Sequence, residues 1–123
     1  MTRLYLMLSA GGVAMVAFGY GLAPHTAVGS LVDLPMDNTD QVHILRAIMG
    51  LYLGLVCFWL LGARRPIYAR PAVMTVVFFM FGLALGRIAS MVLDGMPSPF
   101  LVGATCVEIA AGTWGLFVLR DER

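Results

Sequence analysis

The 123-residue chain is 60% hydrophobic and only 12% charged, with a formal net charge of +1 and a mean hydropathy of +0.89. A soluble domain would hold about a quarter charged residues, so the balance excludes a water-soluble enzyme and predicts an integral membrane protein. All eight basic residues are arginines, and they form no basic stripe or run, which argues against a nucleic-acid partner.

Four apolar stretches carry the excess, over residues 4–22, 42–61, 72–93 and 100–119. Each approaches the ~20 residues that a helix needs to cross a hydrocarbon core about 30 Å thick. Together they use most of the chain, leaving one transmembrane domain and no room for a second. The first stretch has Thr2-Arg3 ahead of it and a small-x-small site at Gly21-Leu22-Ala23, as a signal peptide would. Its apolar run exceeds the ~7–15 residues of a signal core, and Pro24 would follow the cut, so a retained span is expected.

Pro24 is expected to stop the first helix. Residues 24–41 make a long loop in which Val28, Leu31 and Val32 share one helical face. That pattern suits either a short interfacial helix or an irregular loop on the membrane surface. Asn38 with Gln41 three residues on predicts a capping box opening the second span. Gly62 and then Pro66 should end it. Pro71 suits the first turn of the third span, and Ser98-Pro99 supplies a cap and a first-turn proline for the fourth. Tyr20, Trp59, Tyr68, Phe100 and Trp114 fall near span ends, where aromatic rings anchor to headgroups.

The charges sort by side. Arg3, Arg64, Arg65, Arg70, Arg120 and Arg123 lie at the chain ends and in the middle loop, over residues 62–71. Asp33, Asp37, Asp40 and Asp94 lie in the other two loops, which hold no arginine. The positive-inside rule then places both termini in the cytoplasm.

Small residues recur every four positions: Gly50 and Gly54 in the second span, Gly82 and Gly86 in the third, and Ala104 and Gly112 around Glu108 in the fourth. Such stripes let helix backbones approach closely, within one bundle or across a homodimer seam. Three ionisable groups interrupt the apolar runs, namely Arg46, Arg87 and Glu108. A charge in lipid costs roughly 2.5–3.5 kcal/mol on insertion scales, so each is expected to face a partner or a cavity. At about 1.5 Å per residue, Arg46 lies about 6 Å, Arg87 about 10 Å and Glu108 about 12 Å from the outer ends of their spans. The short turn after Asp94 makes the third and fourth helices antiparallel neighbours, which predicts an Arg87–Glu108 ion pair with a bidentate geometry open to it. Asp94, seven residues from Arg87, could hold it from above. Two guanidiniums sharing one buried carboxylate would leave a positive excess suited to an anionic headgroup or small carboxylate.

Other chemistry finds little footing. His25 and His43 with Asp33, Asp37 and Asp40 match no metal-ligand spacing, so no metal is expected. Cys57 and Cys106 differ too much in depth for a disulfide and read as small apolar packing residues. The many methionines read as flexible core filling. Tyr52 falls near mid-bilayer, where its hydroxyl should seek an interhelical acceptor. No phosphate loop, nucleophile elbow or triad is present, so neither catalysis nor a cofactor is expected.

Two stretches are familiar as text: Arg46-Ala-Ile-Met-Gly-Leu-Tyr-Leu-Gly, and Gly86-Arg87-Ile-Ala-Ser90-Met-Val-Leu-Asp94-Gly95-Met-Pro97 followed by Glu108. With four spans and a short chain, they resemble a family of small bacterial integral-membrane proteins, domain of unknown function 4345. The resemblance covers nearly the whole chain and implies an all-α, up-down bundle of four transmembrane helices, but no activity. The expectation is a polytopic protein of the bacterial inner membrane. Its role would be a non-catalytic accessory or assembly subunit docking with other membrane subunits or itself. The alternative is a lipid- or small-anion-binding protein or transporter built on Arg46, Arg87 and Glu108.

Overall fold

The computed structural model describes residues 1–32, 35 and 37–121. The side chain of Val32, and Asp33 and Arg123 altogether, on which parts of the interfacial-helix and charge-sorting expectations rest, lie outside the described residues. Helix α1 spans Thr2–Leu22. Ala23 leaves helical geometry at φ −132°, ψ 52° because a proline follows it. Pro24 opens one π-helical turn, Pro24–Val28, which continues into the short helix α2, Gly29–Val32. The long loop is therefore helical in its first part, with Val28 buried and Leu31 exposed.

Helix α3, Thr39–Arg64, begins with the expected capping box. The Asp40 N–H donates to Asn38 Oδ1 at 2.9 Å, and the Asn38 N–H donates to Gln41 Oε1 at 3.3 Å. The helix does not stop at Gly62. It runs on to Arg64, and Arg65 is extended (φ −121°, ψ 111°) because Pro66 follows. Helix α4, Pro66–Asp94, thus starts earlier than its apolar run, with Pro66 in the first-turn place expected of Pro71. Pro71 sits inside the helix, where its missing N–H removes one backbone bond. The ten-residue connection expected here shrinks to Arg65 alone.

The turn into α5, Pro99–Asp121, needs Gly95, whose φ of +103° and ψ of −179° belong to a region open essentially to glycine alone. The Ser98 carbonyl accepts the Leu101 and Val102 N–H groups at 3.0 and 3.2 Å. Its hydroxyl is buried with no hydrogen-bond partner among the described residues, so the side-chain cap expected of Ser98 is not formed.

α1, α3, α4 and α5 are long and apolar enough to cross a membrane, and they form an all-helical bundle. α1 packs mainly on α3, α3 on α4 and α4 on α5, while α1 lies against both α4 and α5. The largest fully buried side chains are Tyr5, Leu6, Trp59, Val73, Val76 and Val118. All belong to the half of the bundle that holds Arg3, Arg64, Arg65, Arg70 and Arg120, so the dry core is displaced toward the arginine-rich end. Trp59 is part of it rather than a headgroup anchor, and its Nε1 donates to Thr75 Oγ1 at 3.0 Å. Tyr68 and Phe100 are exposed, as anchors would be.

Close approach in this core depends on glycines outside the predicted stripes. A Cβ on Gly62 would strike the Ala72 methyl, and one on Gly115 would strike the Tyr5 hydroxyl. At the other end a Cβ on Gly21 would strike the Met49 side chain. Gly50, Gly54, Gly82 and Gly86 are exposed with nothing within 4 Å of a built Cβ, so they make no close approach within this chain. Of the glycines expected to pack, Gly112 does, with the Phe81 ring 3.0 Å from its built Cβ.

Candidate functional site

In the half of the bundle away from the arginine-rich end, at the edge of the core, polar side chains from all four long helices converge. Glu108 of α5 is 7% exposed. It lies one turn from Gly112, whose bare backbone lets the Phe81 ring of α4 come in close and draws the two helices together. Arg87, six residues beyond Phe81, thereby reaches the carboxylate. Its Nε donates to Glu108 Oε1 at 3.0 Å and to Oε2 at 3.1 Å. The contact is one N–H shared between two oxygens, not the parallel fork that the guanidinium could offer. Tyr20 of α1 stands near it. The Tyr52 ring of α3 lies 6.0 Å from Tyr20 and 5.0 Å, edge-on, from Phe79. The interhelical acceptor expected for Tyr52 is not met among the described residues; its ring, not its hydroxyl, makes the contact.

Arg46 does not join the pair. Its Nε donates to the Gly21 carbonyl at 3.3 Å. That carbonyl belongs to the last turn of α1, where no following amide completes the ladder and the helix dipole is negative. A cation there satisfies an orphan acceptor and ties α3 to the end of α1. Nor does Asp94 hold Arg87. It accepts from Ser90 Oγ at 2.7 Å, one turn back on the same helix. Helical side chains lean toward the N-terminus, so Arg87 leans away from a residue some 10 Å further along the axis.

A small cleft of about 110 Å³ opens beside the pair, lined by Arg87, Ser90, Met91, Gly95, Pro97 and Leu101. The Arg87 side chain is 25% exposed there, against 10% for Glu108. Arg46 and Arg87 share this end with Glu108, Asp94, Asp37 and Asp40, so the expected positive excess is not met among the described residues. Among the described residues no group of three or more potential metal ligands gathers. Cys57 and Cys106 are free and exposed, on outward faces rather than in the packing.

The contacts that sequence reasoning missed are Tyr5 with Ala111, where the phenol donates to the carbonyl at 3.0 Å across α1 and α5, and Trp59 with Thr75. The signal for Tyr5 was a hydroxyl-bearing ring inside an apolar run, which must find an acceptor once buried.

Compared with known proteins, residues 1–119 match the family model described as Domain of unknown function (DUF4345). No curated protein and no solved structure matches the chain.

Proposed function

Since the chain belongs to the DUF4345 family, we propose that it is a non-catalytic membrane component that docks with a larger assembly of the bacterial inner membrane, both termini facing the cytoplasm. One observation carries this reading: its ionisable intramembrane groups are engaged by the fold, while its glycine stripes are free. Arg87 is committed to Glu108 and Arg46 to the Gly21 carbonyl, and neither contact leaves an acid or base poised for chemistry. Gly50 and Gly54 on α3 and Gly82 and Gly86 on α4 instead present open notches on outward faces. Bare notches of that spacing admit a partner helix at short distance, and van der Waals contact there replaces the hydrophobic effect that lipid does not supply. α3 suits the role best, since only 11% of its membrane-spanning window is buried within the bundle.

The orientation is supported by the five described terminal and hairpin arginines lying at one end, opposite Asp37, Asp40 and Asp94. The test of docking is isolation from native membranes in mild detergent. A stoichiometric membrane partner that is lost when Gly54 and Gly82 are replaced by leucine supports it. A chain of monomer mass, the same with and without the substitutions, contradicts it.

A second reading, binding of a lipid or a small anion by Arg46, Arg87 and Glu108, is favoured by the cleft at the partly exposed guanidinium of Arg87. It is the weaker one, because Glu108 already neutralises that guanidinium and Arg46 does not face the cleft.

A further inference from the structure

The opposite, arginine-rich end holds a second concavity that the docking proposal does not use. It measures about 190 Å³ and lies between the start of α1 and the α3–α4 hairpin. Arg3 borders it from α1 and Arg64 from α3, with Gly62, Pro66 and Ala69 forming its floor and wall. Among the described residues no carboxylate lines it. Arg3, Arg64 and the adjoining Arg65 make no side-chain hydrogen bond or ion pair among the described residues, in contrast to their neighbours. Arg70 donates to the Leu119 carbonyl at 3.4 Å, and the Arg120 guanidinium stacks 5.9 Å above the Phe117 ring.

Topology alone asks for arginines on this side of the membrane, but it does not ask for a hollow between them. Nor do the helix ends make the site: the first turns of α1 and α4 offer unpaired N–H groups, but the last carbonyls of α3 beside them offset that field. The two unengaged guanidiniums are what remains, and planar N–H forks match phosphate oxygens.

The geometry points to a headgroup site for an anionic phospholipid, its phosphodiester held between Arg3 and Arg64. A lipid rather than free phosphate fits because exposed apolar side chains flank the hollow, Leu4 beside Arg3, Leu61 one turn before Arg64, and Ile67 beside Pro66. Acyl chains descending from a bound headgroup would lie along them. Basic pockets at the cytoplasmic ends of membrane helices take anionic headgroups in this way.

Native mass spectrometry of the full chain in detergent, titrated with phosphatidylglycerol or phosphatidylcholine of matched acyl chains, tests the site. Phosphatidylglycerol should be retained in preference. Arg3→Gln and Arg64→Gln should each weaken that retention about fivefold, and together at least about tenfold. Both side chains are exposed and unpaired, so the variants keep the fold, and Arg64→Lys, which restores the charge, should recover part of the binding. Arg120→Gln removes an equal charge outside the hollow and should leave retention unchanged. Equal retention of the two lipids, or an equal loss with Arg120→Gln, would overturn the inference. Displacement of phosphatidylglycerol by millimolar inorganic phosphate would assign the hollow to the free ion and overturn it as well.

Discussion

Arg87 and Glu108 face each other from adjacent antiparallel helices, one guanidinium N–H lying 3.0 and 3.1 Å from the two carboxylate oxygens. The pair stands in the half of the bundle that lacks the large fully buried side chains, so it closes α4 on α5 where apolar packing is thinner. Removing one partner of a buried pair strands a charge at a cost of about 3–5 kcal/mol, while replacing both with apolar groups of like volume is often close to neutral. Glu108→Gln and Arg87→Gln should therefore each lower thermal stability in lipid nanodiscs, and the double variant Arg87→Met/Glu108→Leu should recover most of the loss. Additive losses in that cycle would show that the two side chains do not act as a pair.

Arg46 is predicted to act as a cap on α1. Arg46→Gln should cost about 1 kcal/mol, the worth of one hydrogen bond to a helix-end carbonyl with its dipole contribution. Hydrogen exchange should then quicken in the last turn of α1 and in the turn after it, with the Arg87–Glu108 region unaffected. Faster exchange centred on α4 and α5 would contradict the assignment.

Gly115 makes room for the Tyr5 hydroxyl, which donates to Ala111 in the same turn of α5. Gly115→Ala should destabilise by about 1–3 kcal/mol through overpacking. Tyr5→Phe alone forfeits about 1 kcal/mol of hydrogen bond, and combined with Gly115→Ala it should relieve part of the clash. At Gly103, where a Cβ meets nothing within 4 Å, alanine should be neutral or slightly stabilising. Thermal unfolding of the four variants distinguishes the sites, and equal effects at Gly115 and Gly103 would refute the packing argument.

The proposed orientation is open to cysteine labelling in a Cys57→Ser/Cys106→Ser background. A cysteine at Asn38 should react with an impermeant maleimide on intact cells lacking an outer barrier. One at Arg65 should react only after permeabilisation. The reverse pattern would invert the topology.

Much of this was legible in the sequence, for physical reasons that differ by residue. The ion pair could be read because a short turn fixes α4 and α5 as neighbours, and two opposite charges at nearly the same depth below that turn meet. The capping box could be read because Asn38 and Gln41 are a local code. The partner of Arg46 could not, since a backbone carbonyl carries no residue signature. The glycines misled because a spacing of four marks one face of a helix without saying which face the bundle covers. Gly50 and Gly54 look outward, while Gly62 and Gly115, which belong to no complete stripe, permit the close contacts. Pro71 misled because the apolar run starts there, whereas the helix starts where Pro66 supplies a favourable first turn.

Docking requires that the outward glycine faces of α3 and α4 hold a partner. The most direct measurement is the mass of the assembly isolated from native membranes in mild detergent, for the wild-type chain and for Gly54→Leu/Gly82→Leu. The wild type should give a stoichiometric complex with a membrane partner, and the variant a folded, lone chain. A wild-type chain that emerges alone, with the same mass as the variant, would contradict it.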